Sequence, residues 1–258
     1  MNIRALYRYP VKGLSAESLP SVDLLEAMGF PMDRAYAVTD GSLDFDETRP
    51  VPAPKTQFLM LAKYEKLAKL KTRFIEATNE LEVLFDNTSH RYDLVNETDR
   101  GRLVTFLQSF LGVPLPGTPR VVSAAGHQFT DVSVHSVALM RSISLINLDT
   151  VADLGKQLDK TLDPLRFRAN LYFEGTPAWS EMDWVGRHLT IGEVVLKVVR
   201  RTKRCAATSV DPMTGNRDMN LPLALRDYVD HGDLGIYAEV VHGGQIKPGD
   251  AIQLEEAR

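Results

Sequence analysis

The sequence predicts a mainly β chain with some α, organised as two domains. Three observations carry this: short strand patterns closed by turn residues recur along most of the chain, only one long run has clear helical periodicity, and a cluster of prolines and glycines interrupts the chain near its middle. The 258 residues, 44% hydrophobic and 25% charged, have the composition of a globular protein. At that length roughly three quarters of the unfolded chain's surface is buried on folding, so the core needs no metal or disulfide staple.

In the N-terminal third, Arg4 to Tyr9 reads as a strand closed by Pro10 and Gly13, and Ala35 to Thr39 as another ended by Asp40-Gly41. Arg49 to Lys55 has proline at every second position, which removes the donors a central strand needs and predicts an extended surface loop. Thr72 to Glu76 and Leu81 to Phe85 flank a turn and predict a hairpin, with Arg91 to Val95 as a third strand. From Asp99, a candidate N-cap, Leu103, Phe106, Leu107, Phe110 and Leu111 follow helical spacing until Gly112. Residues Gly112 to Pro119 hold three prolines and two glycines, which places the domain boundary there, with domains 1–118 and 119–258.

Beyond the boundary, Ser142 to Asn147 predicts a strand, and Asp149 is positioned to cap a helix carrying Val151, Leu154 and Leu158 on one face. Leu189 to Val199 is β-branched and reads as one strand, Pro222 to Val229 as a short helix stopped near Gly232, and Ile236 to Val241 and Ala251 to Leu254 as the last strands. Many strands with few long helices favour a closed or partly closed barrel.

A single cysteine excludes an intrachain disulfide, a Cys-rich zinc site and an iron-sulfur cluster. Thirty Lys and Arg against 34 Asp and Glu give a net charge of -4, no basis for expecting nucleic acid as a partner. The run Arg200 to Arg204 is basic but has no aromatic residues interleaved with it. No stretch approaches the roughly 18 apolar residues of a membrane helix, so no membrane partner and a cytoplasmic location are expected. The six histidines show no HExxH or comparable metal spacing.

Two clusters carry candidate chemistry. Arg200-Arg201-Thr202-Lys203-Arg204-Cys205 places a thiol beside cations that favour the thiolate, the form that attacks electrophiles and binds metals. A lone cysteine is also a common core filler, and neighbours on a strand point to opposite faces, so both readings stay open. In Arg166-Phe167-Arg168-Ala169-Asn170, period-two alternation of an extended segment would set Arg166, Arg168 and Asn170 on one face, a suitable phosphate grip. A solvated edge strand whose arginines pair with Glu174 or Glu181 is the alternative.

Arg168-Ala169-Asn170, Trp184-Val185-Gly186, Ile191-Gly192, and Arg204-Cys205-Ala206-Ala207-Thr208-Ser209-Val210-Asp211-Pro212 followed by Thr214-Gly215 together resemble the MOSC domain. Tyr9-Pro10-Val11-Lys12-Gly13 and Asp33-Arg34-Ala35-Tyr36 resemble the β-barrel domain that precedes MOSC in amidoxime-reducing components. The resemblance covers nearly the whole chain and implies an N-terminal β-barrel-like domain followed by a MOSC β-barrel with short helices.

It also implies a molybdenum cofactor, molybdopterin with Mo, with Cys205 as the metal ligand. Arg168, Asn170 and Arg204 would hold the pterin and its phosphate, and Lys12 and Arg34 would close over it from the N-terminal domain. Asp131, which follows Thr130, falls in a stretch near the cofactor in relatives and is a second candidate catalytic residue. Lys203 and Gly13 stand where relatives often have a serine, with Lys203 replacing one donor by a charge. The activity implied is reductive cleavage of the N-O bond of N-hydroxylated small molecules, with electrons from a separate protein. A cofactor or sulfur carrier using Cys205 without turnover is the alternative, and the resemblance brings pyridoxal phosphate binding as a further association.

Overall fold

The computed structural model describes residues 1–255. Fifteen strands are described in the order β1 (Asn2–Arg8), β2 (Glu17–Leu19), β3 (Val22–Leu24), β4 (Tyr36–Val38), β5 (Lys71–Ile75), β6 (Glu80–Phe85), β7 (Thr88–Asp93), β8 (Val121–Ser123), β9 (Ile143–Asn147), β10 (Leu171–Glu174), β11 (His188–Ile191), β12 (Val194–Lys203), β13 (Asp233–His242), β14 (Gly244–Ile246) and β15 (Gln253–Leu254). The α-helices are α1 (Glu97–Leu111), α2 (Val137–Met140), α3 (Leu148–Gln157) and α4 (Leu221–Val229).

An eight-stranded sheet in the order β15-β11-β12-β13-β9-β10-β1-β2 forms the body of the fold. It closes on itself. Asn2 bridges Ala251, Ile3 N donates to Asp250 O at 2.9 Å and Ile252 N to Met1 O at 2.8 Å, so the β15 end returns to β1 and few strand edges are left open. Alternating residues fill the interior: Leu196 and Val198 from β12, Ile236 and Ala238 from β13, and Ile143 and Leu145 from β9 are buried in one cluster with Ile3 and Leu6 of β1, which a register shift brings to the same side.

Strands β1 and β2 lie in this sheet although they precede the proline-rich segment 112–119, and β3 pairs with β14. The rest of the N-terminal part builds its own core. The meander β5-β6-β7 packs with α1 through Phe74, Leu81, Val83, Leu103 and Leu107, and β4 pairs with β8. A third, aromatic cluster of Phe45, Phe58 and Phe129 joins three loops.

Several sequence expectations need correcting. Asn96, not Asp99, caps α1, accepting from Thr98 N at 2.9 Å, while Asp99 is drawn back to Asp93 N. Asn147 rather than Asp149 caps α3; Asp149 binds Gly175 N instead. The third strand of the meander comes earlier than Arg91–Val95, because Asp86 and Asn87 both take positive φ and close a two-residue hairpin. The run 189–199 is two strands, since Gly192 at φ +57 turns it back on itself, and β12 then continues to Lys203. Helix α4 ends at Asp230, left-handed at φ 59, ahead of Gly232. Residues 166–170 are not one extended segment. Asp163 caps a 3-10 turn over Pro164–Phe167, and Arg168 follows in the left-handed region, so the supposed alternation is lost.

Candidate functional site

Lys12, Arg34, Asp131, Arg168, Asn170, Lys203, Arg204 and Cys205, the eight residues singled out in the sequence, all line one cavity of about 390 Å³. Nine lysines and arginines border it against two carboxylates, Asp33 and Asp131, so its field is strongly positive in a chain whose net charge is -4.

Cys205 stands at the end of β12, where the strand gives way to a 3-10 turn over Ala206–Ser209. Thr208 fixes that corner, its N and Oγ1 both donating to Cys205 O, at 3.0 and 2.9 Å. The thiol is half-buried and makes no disulfide. Arg204, just before it, donates from Nε to Leu234 O at 2.6 Å and from Nη1 to Phe167 O at 2.9 Å, with its guanidinium carbon 5.3 Å from the Phe167 ring centre. That placement needs a glycine at 235. Its φ is +79, and a Cβ there would sit 2.5 Å from Leu145 O and 2.9 Å from Arg204 Nη2.

Arg34 and Arg168 both have left-handed backbones, at φ 50 and 52, a conformation costly for residues with a side chain. Their guanidinium carbons lie 4.4 and 4.3 Å from the centre of the Tyr9 ring. Asp33 ties this group down, accepting from Tyr9 N at 2.8 Å and pairing with Arg34. Arg168 also donates to Leu14 O at 2.8 Å. Burial pulls the guanidinium groups of Arg168 and Arg204 below the ordinary arginine value, with Arg34 adding to the effect on Arg168. These are half-buried cations short of counter-charge.

Asn170 has a supporting position. Its Oδ1 accepts from Ser144 N at 3.1 Å and Ser144 Oγ at 3.0 Å, and its Nδ2 donates to Tyr7 O at 3.3 Å, which links β9 to β1 beneath the cavity. Arg166 does not join a phosphate grip with it. Its fork takes Asp218 at 2.8 and 2.7 Å and Asp211 at 2.8 Å, not Glu174 or Glu181, and thereby orders the loop after Cys205.

Asp131 is shared by two lysines, with Lys12 Nζ 2.5 Å from Oδ1 and Lys55 Nζ 2.9 Å from Oδ2. Burial pushes the Asp131 carboxyl up, but the two ammonium groups more than offset it and hold the acid well below the usual carboxylate range. Lys12 is buried and also donates to Phe129 O at 2.9 Å. Burial lowers its ammonium pKa, with Asp131 opposing the shift. Lys55 shifts the other way, because attraction to Asp131 and to Cys205 exceeds the cost of its partial burial.

Lys55 and Gly235 are not legible as site residues in the sequence, and Tyr9 and Asp33, though inside the motifs around Lys12 and Arg34, are not singled out by them. The nearest signal was the proline-spaced loop around Lys55, which reads locally as a surface spacer.

A bare metal ion finds no cage here: among the described residues no group of three or more His, Cys, Asp or Glu is placed to hold one. One soft thiol beside a basic cavity instead fits a metal carried on an anionic organic cofactor. The buried Thr202 Oγ1 and Arg166 Nε, which have no hydrogen-bond partner among the described residues, belong to residues lining the same space.

The family model described as "MOSC domain" matches residues 132–253, and "MOSC N-terminal beta barrel domain" matches residues 1–83. Molybdenum cofactor sulfurase of Caenorhabditis briggsae is 33% identical over 117 residues, 44% of this chain and 16% of that protein. Mitochondrial amidoxime-reducing component 1 of Homo sapiens is 32% identical over 117 residues, 41% of this chain and 34% of that protein. These matches therefore span about a third or less of the relatives' own length. Among solved structures, the YUAD protein from Bacillus subtilis aligns with a TM-score of 0.44 at 11% identity, covering 100% of this chain and 96% of that one. With both family models matched in order along it, the chain belongs to the MOSC-domain proteins that carry an N-terminal MOSC β-barrel domain.

Proposed function

We propose that this protein binds molybdenum cofactor in the cavity around Cys205 and reduces N-hydroxylated small molecules with electrons from a separate protein. The single observation that carries the reading is the meeting of the chain's one thiol with half-buried, under-compensated cations in one cavity. Units 1–118 and 119–258 would both build the site, the first supplying Lys12 and Arg34, the second Asp131, Arg168, Arg204 and Cys205.

The cofactor, when bound, supplies the redox chemistry. The chain's residues do the rest. Cys205 provides a soft ligand at a fixed corner of the backbone. Arg168 and Arg204, anchored on backbone carbonyls, set a positive wall against the cofactor's phosphate, and Asn170 braces β9 against β1 next to Arg168. Asp131, held ionised by Lys12 and Lys55, orients those cations and keeps no proton to donate. Lys203 is exposed at the cavity, placed to add a cation where a serine is common in relatives.

One cysteine cannot hold a cluster, and no GxGxxG element follows a strand, which supports an external electron donor. No helix among the described residues is long and apolar enough to cross a membrane. The test is turnover of an amidoxime by purified, cofactor-loaded protein. Dithionite-reduced viologen is expected to support it and NADH alone is not; oxidation of NADH by the isolated protein would overturn the external-donor reading.

A second reading, a cofactor or sulfur carrier, draws on the half-buried, reachable Cys205 and on the similarity to a sulfurase. Binding without turnover under the viologen assay would favour it.

A further inference from the structure

We propose that Lys55 is the catalytic cation of this cavity: its ammonium, braced on Asp131 beside Cys205, holds the N-O oxygen of the substrate and stabilises the charge gathering there as the bond breaks. This rests on the reductase reading given above.

Apart from Arg200 and Lys203, which are exposed along β12, the other charged groups of the cavity are already engaged. Asp131 has one oxygen on Lys12 and the other on Lys55. Lys12 is buried and divided between Asp131 and the Phe129 carbonyl. Arg204 is tied to Leu234 O and Phe167 O, and Arg168 to Leu14 O with its plane over Tyr9. Lys55 has three N-H donors and gives one to Asp131, is partly exposed, and lines the same cavity as Cys205.

Its backbone is tied to the fold by the residues that follow it. Pro54 starts a 3-10 turn over Lys55–Gln57, Asp40 N donates to Gln57 O at 2.9 Å, and Leu59 N donates to Val38 O at 2.8 Å. Phe58 packs edge-on to Phe129 at 5.5 Å, and Phe129 lies two residues before Asp131. The aromatic cluster therefore clamps the loop bearing Lys55 to the loop bearing Asp131. A fixed cation at the place where charge develops needs no reorganisation during reaction, which is the condition for electrostatic stabilisation.

In the step itself the N-O bond breaks and two electrons arrive from the separate donor protein, or from reduced viologen in an assay. Two protons come from solvent, one to the oxygen, which leaves as water, and one to the nitrogen.

Two measurements test the proposal. Cofactor-free protein is treated with o-phthalaldehyde, which forms a fluorescent isoindole only from an adjacent amine and thiol. With one cysteine in the chain, peptide mapping is expected to find a Lys55–Cys205 isoindole that Lys55→Met abolishes. A product mapping to Lys203, or none, overturns the placement. In cofactor-loaded protein assayed with viologen, Lys55→Met is expected to lower kcat about 10²-fold with molybdenum content and KM little changed, and Lys55→Arg to recover part of the loss. Turnover by wild type and Lys55→Met alike overturns this proposal alone. No turnover by the wild type overturns the reductase reading and this one with it, whatever the isoindole maps to.

Discussion

Arg34 donates from Nη2 to the backbone carbonyl of Arg168 at 2.8 Å, so two cationic side chains with left-handed backbones are held together over one tyrosine ring. Arg34 has a carboxylate, Asp33, at hand, whereas no carboxylate pairs with Arg168 among the described residues. Two half-buried guanidinium groups kept close at a conformational cost are stabilised when an anion joins them, which is the electrostatic basis for placing the cofactor's phosphate here.

Arg168→Ala is accordingly expected to weaken cofactor retention while the Cys205 ligand remains. Molybdenum content followed through extended dialysis checks this. Occupancy that declines no faster than in the wild type contradicts the role.

Gly13 explains why a hydroxyl donor is missing on that side of the cavity. Its φ is +84, and a Cβ would lie 2.6 Å from Leu59 O, so a serine does not fit unless the backbone at Leu59 and Met60 moves. Gly13→Ser is expected to cost about 1–3 kcal/mol of stability, read by urea unfolding, with no gain in cofactor retention. Wild-type stability would show that the 59–60 segment yields freely.

Glu181 gives the fold a pH dependence of defined sign. The side chain is fully buried, accepts from Asn147 Nδ2 at 3.1 Å and Thr150 Oγ1 at 2.9 Å, and has no cation as partner among the described residues. Burial pushes its carboxyl up. The native state then binds the proton more tightly than the unfolded chain, so stability falls as pH rises from the ordinary glutamate value, about 4.3, through the raised native one. Glu181→Gln is expected to flatten that slope in unfolding measured against pH. An unchanged slope would assign it to other groups.

Strands and the long helix were legible because β-branched runs bounded by Gly, Pro and Asn, and the spacing of Leu103, Leu107 and Leu111, are local signals. Caps were less so. Asn96 and Asp99 are both good cap residues three positions apart, and only the hydrogen bond from Asp93 N, which occupies Asp99, decides between them. Residues 166–170 mislead because their local alternation does not register the turn that Pro164 starts just before them, which leaves Arg168 left-handed. Cys205 and Arg204 carried a recognisable motif, but Lys55 reaches Asp131, 76 residues away in sequence, through aromatic packing that no local pattern displays. The proline spacing around Lys55 told of an extended chain and nothing of what that chain leans on.

The central claim is that Cys205 binds molybdenum within this cavity. Elemental analysis of wild-type and Cys205→Ser protein, both expressed in a host that makes molybdenum cofactor, tests it most directly, since serine keeps the volume but is a poor ligand for a soft metal. Stoichiometric molybdenum and viologen-driven amidoxime reduction are expected in the wild type, with loss of the reduction and of tightly held metal in Cys205→Ser at unchanged fold. Wild-type protein without molybdenum, or a serine variant with wild-type metal and turnover, would contradict the account.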